Sequence, residues 1–347
     1  MKKLVKLLSV IIFLNAAIIF DPAYGLDLLE TNIGAETVGL GGATAAIVQN
    51  PSALFWNPAG LANINGKQKE KNKTSLNIEA DQKFSEDSFD KLFENKPSND
   101  DEGRKPARKN EQSFEMQFYT AYGYLTMDRH LFMGATAFTL FNGTFGAGVM
   151  GAYAPGIDGY DSAGMPTGQI SYGAYDASAG YAWETSVVKM GFSFSGYWQA
   201  LATQNYFGGG LNMGIQMTPI PIIHIGAMVQ NLPGFIQYSS SVPSALNKMD
   251  TVLKMDLGIS TPPPDASFLL LIGFEANLSP SSSSQIFANL GLRVTFAKHF
   301  FIMTGIRDNS FSVGFGLNLP ALKIAYAVNE DKLRTGFQHF VDLNFTF

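Results

Sequence analysis

The C-terminal segment alternates apolar and polar side chains without a break and stops on an aromatic residue. Val341, Leu343 and Phe345 fall on one side of an extended strand. Asp342 and Asn344 fall on the other side, because successive side chains of a β-strand point to opposite faces. One face suits lipid and the other suits water. This pattern is typical of a strand in an outer-membrane β-barrel.

The N-terminus carries the pattern of a secretory signal peptide. Lysines precede an apolar run over 7–20, and Gly25 offers a small residue for cleavage. The run is shorter than the roughly 20 residues that a membrane-spanning helix needs. We therefore expect residues 1–25 to be a signal peptide, and a membrane anchor is the less favoured alternative.

Composition points to strands rather than helices. The chain is 46% hydrophobic, with 35 Gly and 28 Phe, yet no later apolar run is long enough for a membrane helix. A soluble β-sandwich is the alternative, but its strands usually have about 5 or 6 residues, and the alternating segments here are longer. The chain has no cysteine for disulfides. Its net charge of −5 and its few basic residues give no surface for nucleic acid.

Alternation with a period of two recurs from about residue 74 to the end. Charged residues fall on the polar face, as expected where Lys or Arg facing the bilayer centre costs about 2–4 kcal/mol. Every backbone group in lipid must pair within the protein, so the sheet must close. The sequence therefore predicts an all-β fold, a 14-stranded antiparallel transmembrane β-barrel over 67–347 in the bacterial outer membrane. The predicted strands are 74–83, 113–127, 130–143, 170–185, 187–201, 205–218, 221–231, 250–261, 266–278, 284–296, 299–307, 309–319, 321–329 and 336–347.

The connections between these strands alternate in length. Short links such as 128–130 are expected on the periplasmic side and longer loops outside. The charged segment 84–112 is expected to be a mobile extracellular loop. A Gly-rich segment, 144–169, and a Ser-rich segment, 232–249, are predicted to be the other long loops.

Residues 26–66 differ from the rest of the chain. They are rich in Gly and Ala, and Asn-Pro pairs interrupt the apolar stretches. Proline lacks an N–H donor and biases the preceding residue away from helix, so we expect a compact segment with short helical turns. Gly41 and Gly42 are expected to allow close backbone packing inside a narrow lumen. The segment is therefore predicted to be a hatch that lies inside the barrel.

Motifs for catalysis, phosphate binding or metal binding are weak. Gly146-x-Gly148-x-x-Gly151 matches a dinucleotide fingerprint, but no helix follows to receive a phosphate. The four histidines have no metal-ligand spacing. We therefore expect no enzyme activity, no cofactor and no metal site.

Ionisable residues on the polar faces of the predicted strands should point into the lumen. They are expected to pair with one another and hold the hatch, or else to line a path for a solute. The main candidates are Asp176, Lys254, Asp256 and Arg293, and the others are Lys189, Arg307, Lys323 and Asp342.

The segment 39–62, which reads GLGGATAAIVQNPSALFWNPAGLA, resembles the N-terminal hatch of the FadL-like outer-membrane barrels, especially their PorV-like branch. The segment 229–234 is similar to a motif in the middle of the barrel in that branch. The most specific part is Asn57-Pro58-Ala59 with its Gly-Gly lead-in. The resemblance covers essentially the whole mature chain. It implies a short hatch followed by fourteen strands, with these hatch residues involved in gating.

The resemblance implies two different uses. FadL proper carries long-chain fatty acids and other hydrophobic molecules, and displacement of its hatch opens a lateral or axial route. PorV-type relatives are adaptors that bind a protein partner, here at the extracellular or the periplasmic face. We favour uptake of hydrophobic small molecules. An adaptor or purely structural barrel is the alternative, and the hatch argues against a water-filled porin.

A lateral route needs a break in the wall. Gly208, Gly209 and Gly210 are the candidates for a bulge or kink, because consecutive glycines weaken strand pairing. Alternatively, three glycines leave room for a bulky neighbour.

Overall fold

The computed structural model describes most of the chain after the predicted signal peptide. The predicted signal peptide 1–25, the predicted strand 74–83 and the predicted loop 84–112 lie outside the described residues. The described ranges are 32–64, 114–160, 163–185, 187–201, 204–239, 247–261, 266–278, 285–297, 299–331 and 336–347.

Fourteen antiparallel strands form the wall, each paired with its neighbours in sequence, and pairing of β1 with β16 closes the barrel. The predicted fold is confirmed. The wall strands are β1 (Met116–Leu125), β2 (Arg129–Leu140), β3 (Gly143–Tyr160), β4 (Pro166–Glu184), β5 (Val188–Leu201), β6 (Gln204–Ile220), β7 (Ile223–Gln230), β10 (Thr251–Ser260), β11 (Ala266–Leu278), β12 (Gln285–Phe296), β13 (Phe300–Arg307), β14 (Ser310–Asn318), β15 (Leu322–Glu330) and β16 (Phe337–Thr346). The short strands β8 (Gly234–Ser239) and β9 (Asn247–Lys248) continue the wall beyond β7 and before β10.

The two ends of the barrel differ in their connections. At one end, the turn end, neighbouring strands are joined by links such as 141–142, 221–222 and 319–321. At the other, the loop end, the links include 161–165 and 331–336. Because outer-membrane barrels have their short turns in the periplasm, the turn end is the periplasmic end.

Strand β3 corrects the predicted Gly-rich loop 144–169. Its lumen-facing positions are mostly Gly and Ala, so the alternation of large and polar side chains on which the prediction rested is weak there. Gly146 faces the hatch, where a Cβ atom would lie 2.9 Å from Leu61 Cδ1. The small residues therefore reflect a crowded lumen rather than a loop.

The position of the link after β1 is a second correction. Thr126 donates from its hydroxyl to Asp331 Oδ2, 2.9 Å away, so this link lies beside the link after β15, at the loop end. The sequence placed the link 128–130 in the periplasm because it treated 74–83 as the first strand and missed β3. From β4 onward the predicted strand directions agree with the structure.

The hatch lies across the lumen. It contains helix α1 (Ala35–Gly39), helix α2 (Ala53–Trp56) and a 3₁₀-helix (Pro58–Ile64). Helix α1 contacts strands β13 to β16, and the 3₁₀-helix contacts β2 to β6 on the opposite side. Nearly all hatch residues are buried. The hatch therefore fills the barrel from wall to wall.

The wall has an apolar exterior and a polar lumen. Leu257, Ile272 and Leu290 are 41%, 39% and 43% exposed on the outside, whereas Glu275 and Asn289 are buried inside. A soluble protein has the reverse arrangement, so this exterior requires lipid. No described helix is both long enough and apolar enough to cross a membrane. The closed barrel with this exterior belongs in the bacterial outer membrane.

A closed hydrogen-bonded wall should unfold slowly in detergent. Protein kept at room temperature in SDS is therefore expected to migrate differently from boiled protein on electrophoresis. Samples heated in steps provide the control, because the two bands should interconvert over one narrow temperature range. Identical migration before and after boiling would contradict a closed barrel.

Candidate functional site

Asn57 anchors the hatch to itself and to the wall. Its side chain is completely buried, and Nδ2 donates to the carbonyl oxygens of Ala45 (2.7 Å) and Ile215 (3.0 Å). Its Oδ1 accepts from the backbone N–H of Ala59 at 3.2 Å. Asn57 is extended because Pro58 follows it, and this ends helix α2. One side chain thus joins two turns of the hatch to strand β6.

Two wall carboxylates bind backbone N–H groups of the hatch. Asp342 on β16 accepts from Ala35 (2.6 Å) and Glu36 (3.0 Å), which are the first residues of α1. Asp256 on β10 accepts from Ala45 at 2.5 Å. The first N–H groups of a helix lack intrahelical partners, and a buried carboxylate needs donors. Each group therefore satisfies the other.

Glu36 is the only charged residue among 32–64, and it forms the main ion pairs of the hatch. Its Oε1 lies 2.9 Å from Arg293 Nη1, and its Oε2 lies 2.5 Å from Lys323 Nζ. Burial by itself raises the pKa of Glu36. The charges and hydrogen bonds of Lys323 and Arg293 outweigh that effect and hold the pKa below its ordinary value. Helix α1 is thus held to the wall through its backbone and its side chain.

Gly41 touches the wall backbone. Its φ of +63° favours glycine, and a Cβ atom there would lie 2.7 Å from the carbonyl oxygen of Ile306 and 2.8 Å from that of Leu290. Gly42 follows with φ of +85°. Any side chain at Gly41 would push the hatch away from β12 and β13. The structure therefore has the close backbone packing that was expected of this turn inside the lumen.

Lys254 belongs to a second charged cluster, on the loop-end side of the hatch. Its Nζ lies 3.4 Å from Glu275 Oε2, and Arg307 Nη2 lies 2.9 Å from Glu275 Oε1. The Lys254 Nζ also lies 5.3 Å from the centre of the Trp56 ring, over its face. The cluster therefore contains two cations and one carboxylate, and Lys254 is its contact with helix α2.

The four main ionisable candidates do not form one cluster, and only Lys254 and Asp256 are neighbours, on the same face of β10. Asp176, Lys254, Asp256 and Arg293 all face the lumen, but the partner of each is a different group: Ser178, Glu275, Ala45 and Glu36 respectively. Three of the four are tied to the hatch, directly or through Trp56. Their role in holding the hatch or in guiding a solute stays a prediction.

Asp176 begins a chain of hydrogen bonds across three strands. Ser178 donates to Asp176 Oδ1 at 2.6 Å and lies 2.7 Å from the Ser195 hydroxyl. Asn212 Nδ2 donates to Ser195 Oγ at 2.9 Å. The Oδ1 of Asn212 accepts from the N–H of Asn231 at 3.0 Å. The chain therefore runs from β4 to the residue directly after β7.

The same chain is connected to helix α2 of the hatch. Asn212 Nδ2 also donates to Ser193 Oγ at 3.1 Å, and Ser193 donates to the carbonyl oxygen of Leu54 at 3.1 Å. One residue before Asn231, Gln230 Nε2 donates to the carbonyl oxygen of Phe55 at 2.9 Å. The hatch and the end of β7 thus share one hydrogen-bond network.

The wall is interrupted after β7. Met213 pairs with Val229, and Gly210 pairs with Gly234. The three steps from 213 to 210 on β6 therefore lie opposite the five steps from 229 to 234 on the neighbouring strand. The two extra residues form a bulge over 231–233. The next wall strand is also discontinuous, because two residues separate the end of β9 from the start of β10. Two adjacent strands are therefore interrupted here, whereas the other register shifts of the described wall lie within the β3–β4 pair and at the turn end of the β6–β7 pair.

Gly208, Gly209 and Gly210 lie beside this interruption rather than in it. They pair in unbroken register with β5 and with β8, so the expected bulge or kink is in the neighbouring strand. A Cβ atom on Gly210 would lie 2.6 Å from Asn231 Oδ1. The geometry thus matches the other expectation, that small residues leave room for a neighbour. A role in lateral opening stays a prediction.

An apolar cluster occupies the lumen between the hatch and the loop end. On β4, Tyr172 lies eight residues toward the loop end from Gly180, which touches Leu54 of the hatch. The cluster is contiguous with the apolar residues of the hatch. Its larger members, which we call the loop-side cluster, are Leu131, Met133, Met150, Tyr172, Tyr197 and Met249.

Sequence reasoning did not single out several residues that hold the hatch: Glu36, Glu275, Asn212 and Gln230. Glu36 carried a usable signal, because it is the only charged residue among 32–64. Glu275 and Asn212 lie on polar faces of their strands, so their direction was predictable. The partners of Glu36 and Gln230 lie more than a hundred positions away. Those of Glu275 and Asn212 lie on other strands, and no local pattern encodes such pairing.

The structure is similar to known outer-membrane transporters. It matches the crystal structure of the Pseudomonas putida toluene transporter TodX with a TM-score of 0.51 and 12% identity, over 94% of this chain and 98% of that one. A second TodX crystal structure gives 0.52 and 11%, over 92% and 97%. A deltaS2 mutant of TodX, described as a monoaromatic hydrocarbon channel, gives 0.50 and 11%, over 92% and 98%.

At this level of identity the likeness shows the fold, which is that of the FadL-family transporters. The PorV-like branch is not shown and stays a prediction from the hatch motif. No protein-family model matches the chain, and no curated protein matches it significantly. Among the described residues, no three His, Asp or Glu side chains are grouped so that they could hold a metal ion.

Replacing Asn57 with Leu keeps its volume but leaves the carbonyl oxygens of Ala45 and Ile215 without this donor. We expect the free energy of unfolding to fall by about 1–3 kcal/mol, and hydrogen exchange to accelerate over 44–60. Asn289→Leu is the matched control, because the buried Oδ1 of Asn289 has no partner in the described part of the chain. Equal effects of both variants would contradict an anchoring role for Asn57.

The lowered pKa of Glu36 makes attachment of α1 dependent on pH. Its stabilising contribution is present above the pKa of Glu in the unfolded chain, about 4.3, and is lost as the pH falls through the lower pKa of the folded protein. Hydrogen exchange over 35–42 should therefore accelerate below about pH 4. Because other carboxylates also titrate there, the measured quantity is the difference from Glu36→Gln. A variant with the same pH profile as the wild type would contradict the ion pairs.

Proposed function

We propose that this protein is an outer-membrane channel through which hydrophobic small molecules enter the cell, and that passage requires displacement of the hatch. The observation that carries the proposal is the continuity of the loop-side cluster with the interruption of the wall. An apolar molecule needs an apolar surface on its way through a polar lumen, and this cluster provides one.

Met249 connects the cluster with the interruption. It lies between β9 and β10, and its backbone N–H donates to the carbonyl oxygen of Gly234 at 3.2 Å. Its Sδ lies 3.3 Å from the position of a Cβ atom on Gly208. The flexible thioether therefore covers the inner surface of β6 and β8 next to the bulge. A methionine at this position can move aside for an apolar solute at little cost.

The transporters with the same fold support this class of solute. TodX is a toluene transporter and a monoaromatic hydrocarbon channel by description. Fold alone does not establish function, and the proposal therefore also rests on the apolar cluster of this chain. Long-chain fatty acids and monoaromatic hydrocarbons are the two ligand types to compare.

Gating by the hatch is supported by how the hatch is attached. It fills the lumen, so an axial path needs it to move. The contacts that hold it are hydrogen bonds and ion pairs from Asn57, Asp342, Asp256 and Glu36. Each contributes a modest net free energy in protein, so a bound solute can compensate for the loss of a few. Because the network through Asn212 connects the hatch to the end of β7, movement of the hatch would also affect that part of the wall.

A disulfide between hatch and wall should stop transport. A Cβ atom on Gly39 would lie 3.5 Å from the Cβ of Ala327, within the range that a disulfide requires. The chain has no cysteine of its own, so Gly39→Cys with Ala327→Cys gives one defined pair. We expect cells or vesicles that contain the wild type to take up radiolabelled toluene or oleate. The oxidised double variant should lose most of this uptake and regain it on reduction.

Each single cysteine variant is the control, because it carries the same substitution without the bond. Full uptake by the oxidised double variant would contradict gating by the hatch. Absence of uptake of both solutes by the wild type, relative to cells without the protein, would contradict the transport function itself.

A further inference from the structure

One part of the lipid-facing surface carries polar aromatic side chains. We call it the tyrosine–histidine patch, and it consists of Tyr122, Tyr124, His130, Tyr326 and His339. These residues lie on β15, β16, β1 and β2, which are consecutive in the wall. They point outward, since Tyr119, Ala121 and Asp342 on the same strands face the lumen. By contrast, strands β10 to β14 contain no Tyr, Trp or His.

Each histidine of the patch is paired with a tyrosine. The Tyr122 hydroxyl lies 2.6 Å from His130 Nδ1, and the Tyr326 hydroxyl lies 2.7 Å from His339 Nδ1. When a tyrosine donates to Nδ1, the neutral ring carries its proton on Nε2. In the tautomer that accepts at Nδ1, both rings present an Nε2–H donor away from the tyrosine. The two pairs make the same arrangement on either side of β1.

The donors have different surroundings. His130 Nε2 lies 3.5 Å from Asp128 Oδ1, and the Asp128 side chain is 63% exposed. For His339, the described residues provide no hydrogen bond or ion pair to Nε2. The patch therefore presents the Nε2–H donor of His339, which has no partner among the described residues. It also presents the exposed carboxylate of Asp128 beside the His130 ring.

Tyr124 lies between the two pairs. Its ring centre is 5.5 Å from that of His130, and it is the register partner of His339. Tyr122 and Tyr124 are 49% and 43% exposed. The patch therefore offers open aromatic faces with hydrogen-bonding groups at both sides.

The patch lies near the loop end. Tyr124 and His130 flank the link after β1, and His339 is the third residue of β16 after the link at the loop end. This is the depth at which the wall meets the lipid headgroups, where a tyrosine can keep its ring in the apolar layer and its hydroxyl in the polar one. Packing an imidazole against acyl chains alone would cost free energy, because its polar nitrogens would lack hydrogen-bond partners.

We propose that the tyrosine–histidine patch binds the sugar-phosphate headgroup of a glycolipid in the outer leaflet. The ring of Tyr124 packs against the sugar. His339 donates from Nε2 to a phosphate oxygen, which accepts strongly, and Asp128 accepts from a sugar hydroxyl. A phospholipid headgroup such as phosphatidylglycerol has phosphate but no sugar ring for Tyr124. The patch therefore selects a glycolipid over a phospholipid and orients this side of the barrel in the membrane.

The test uses the full chain in a non-ionic detergent, with diphosphoryl lipid A and phosphatidylglycerol as probes and native mass spectrometry as the measurement. We expect lipid A to bind at least tenfold more tightly than phosphatidylglycerol. His130→Phe with His339→Phe should reduce lipid A binding by about tenfold or more, and leave phosphatidylglycerol binding unchanged. Leu290→Phe, an exposed substitution on β12 outside the patch, is the control and should change neither.

Equal binding of the two lipids by the wild type would overturn the proposal, and so would unchanged lipid A binding by the double histidine variant. Heat-dependent migration on electrophoresis verifies that each variant is folded. If the double variant does not fold, Tyr326→Phe removes only one hydroxyl and releases His339. Its lipid A binding should weaken severalfold, and an unchanged value would also overturn the proposal. Neither result bears on transport, because no solute is involved.

Discussion

The need to pair every backbone N–H and C=O group within the protein governs this structure. Lipid offers no hydrogen bonds, so the wall closes through pairing of β1 with β16. Closure then separates two environments, an apolar exterior and an enclosed lumen. Because the enclosed space is narrow, the hatch packs directly on the wall backbone at glycines such as Gly41 and Gly305. The arrangement of the polar groups inside follows from that contact.

The hatch is attached to the wall by many polar contacts, and the chain has no cysteine for a disulfide between them. Asp342, Asp256 and Asn57 bind its backbone, and Glu36 is the only charged residue among its described residues, 32–64. Such contacts define one position for the segment, yet each is weak enough to exchange with water or with a ligand. The network through Asn212 extends from the hatch to the interrupted wall beside β7. The contacts that hold the hatch and the interruption of the wall are therefore joined by one hydrogen-bond network, which is the basis of the proposed gating.

The errors in the sequence-based prediction have one physical origin. Alternation of large and polar side chains located most of the strands, but β3 faces the hatch with Gly and Ala and so gave a weak signal. The three glycines 208–210 left two interpretations open, a break in the wall or room for a neighbour; they pair in unbroken register, and Gly210 makes room for Asn231 at the adjacent bulge. In both cases a small residue is explained by what lies opposite it, and that partner is distant in sequence. The predicted strand 74–83 lies outside the described residues, and the fourteen described wall strands close without it.

The sequence by itself determined the class of the fold, the lipid-facing and lumen-facing sides of the strands, and the presence of a compact segment before the barrel. These properties depend on the local period of two and on proline and glycine, which act within a few residues. Only the tertiary structure decided which lumenal group binds which part of the hatch, where the wall is interrupted, and that Tyr326 meets His339 while Tyr122 meets His130. Strand register and closure of the barrel set those pairings, because they bring together side chains whose separation in the chain carries no signal.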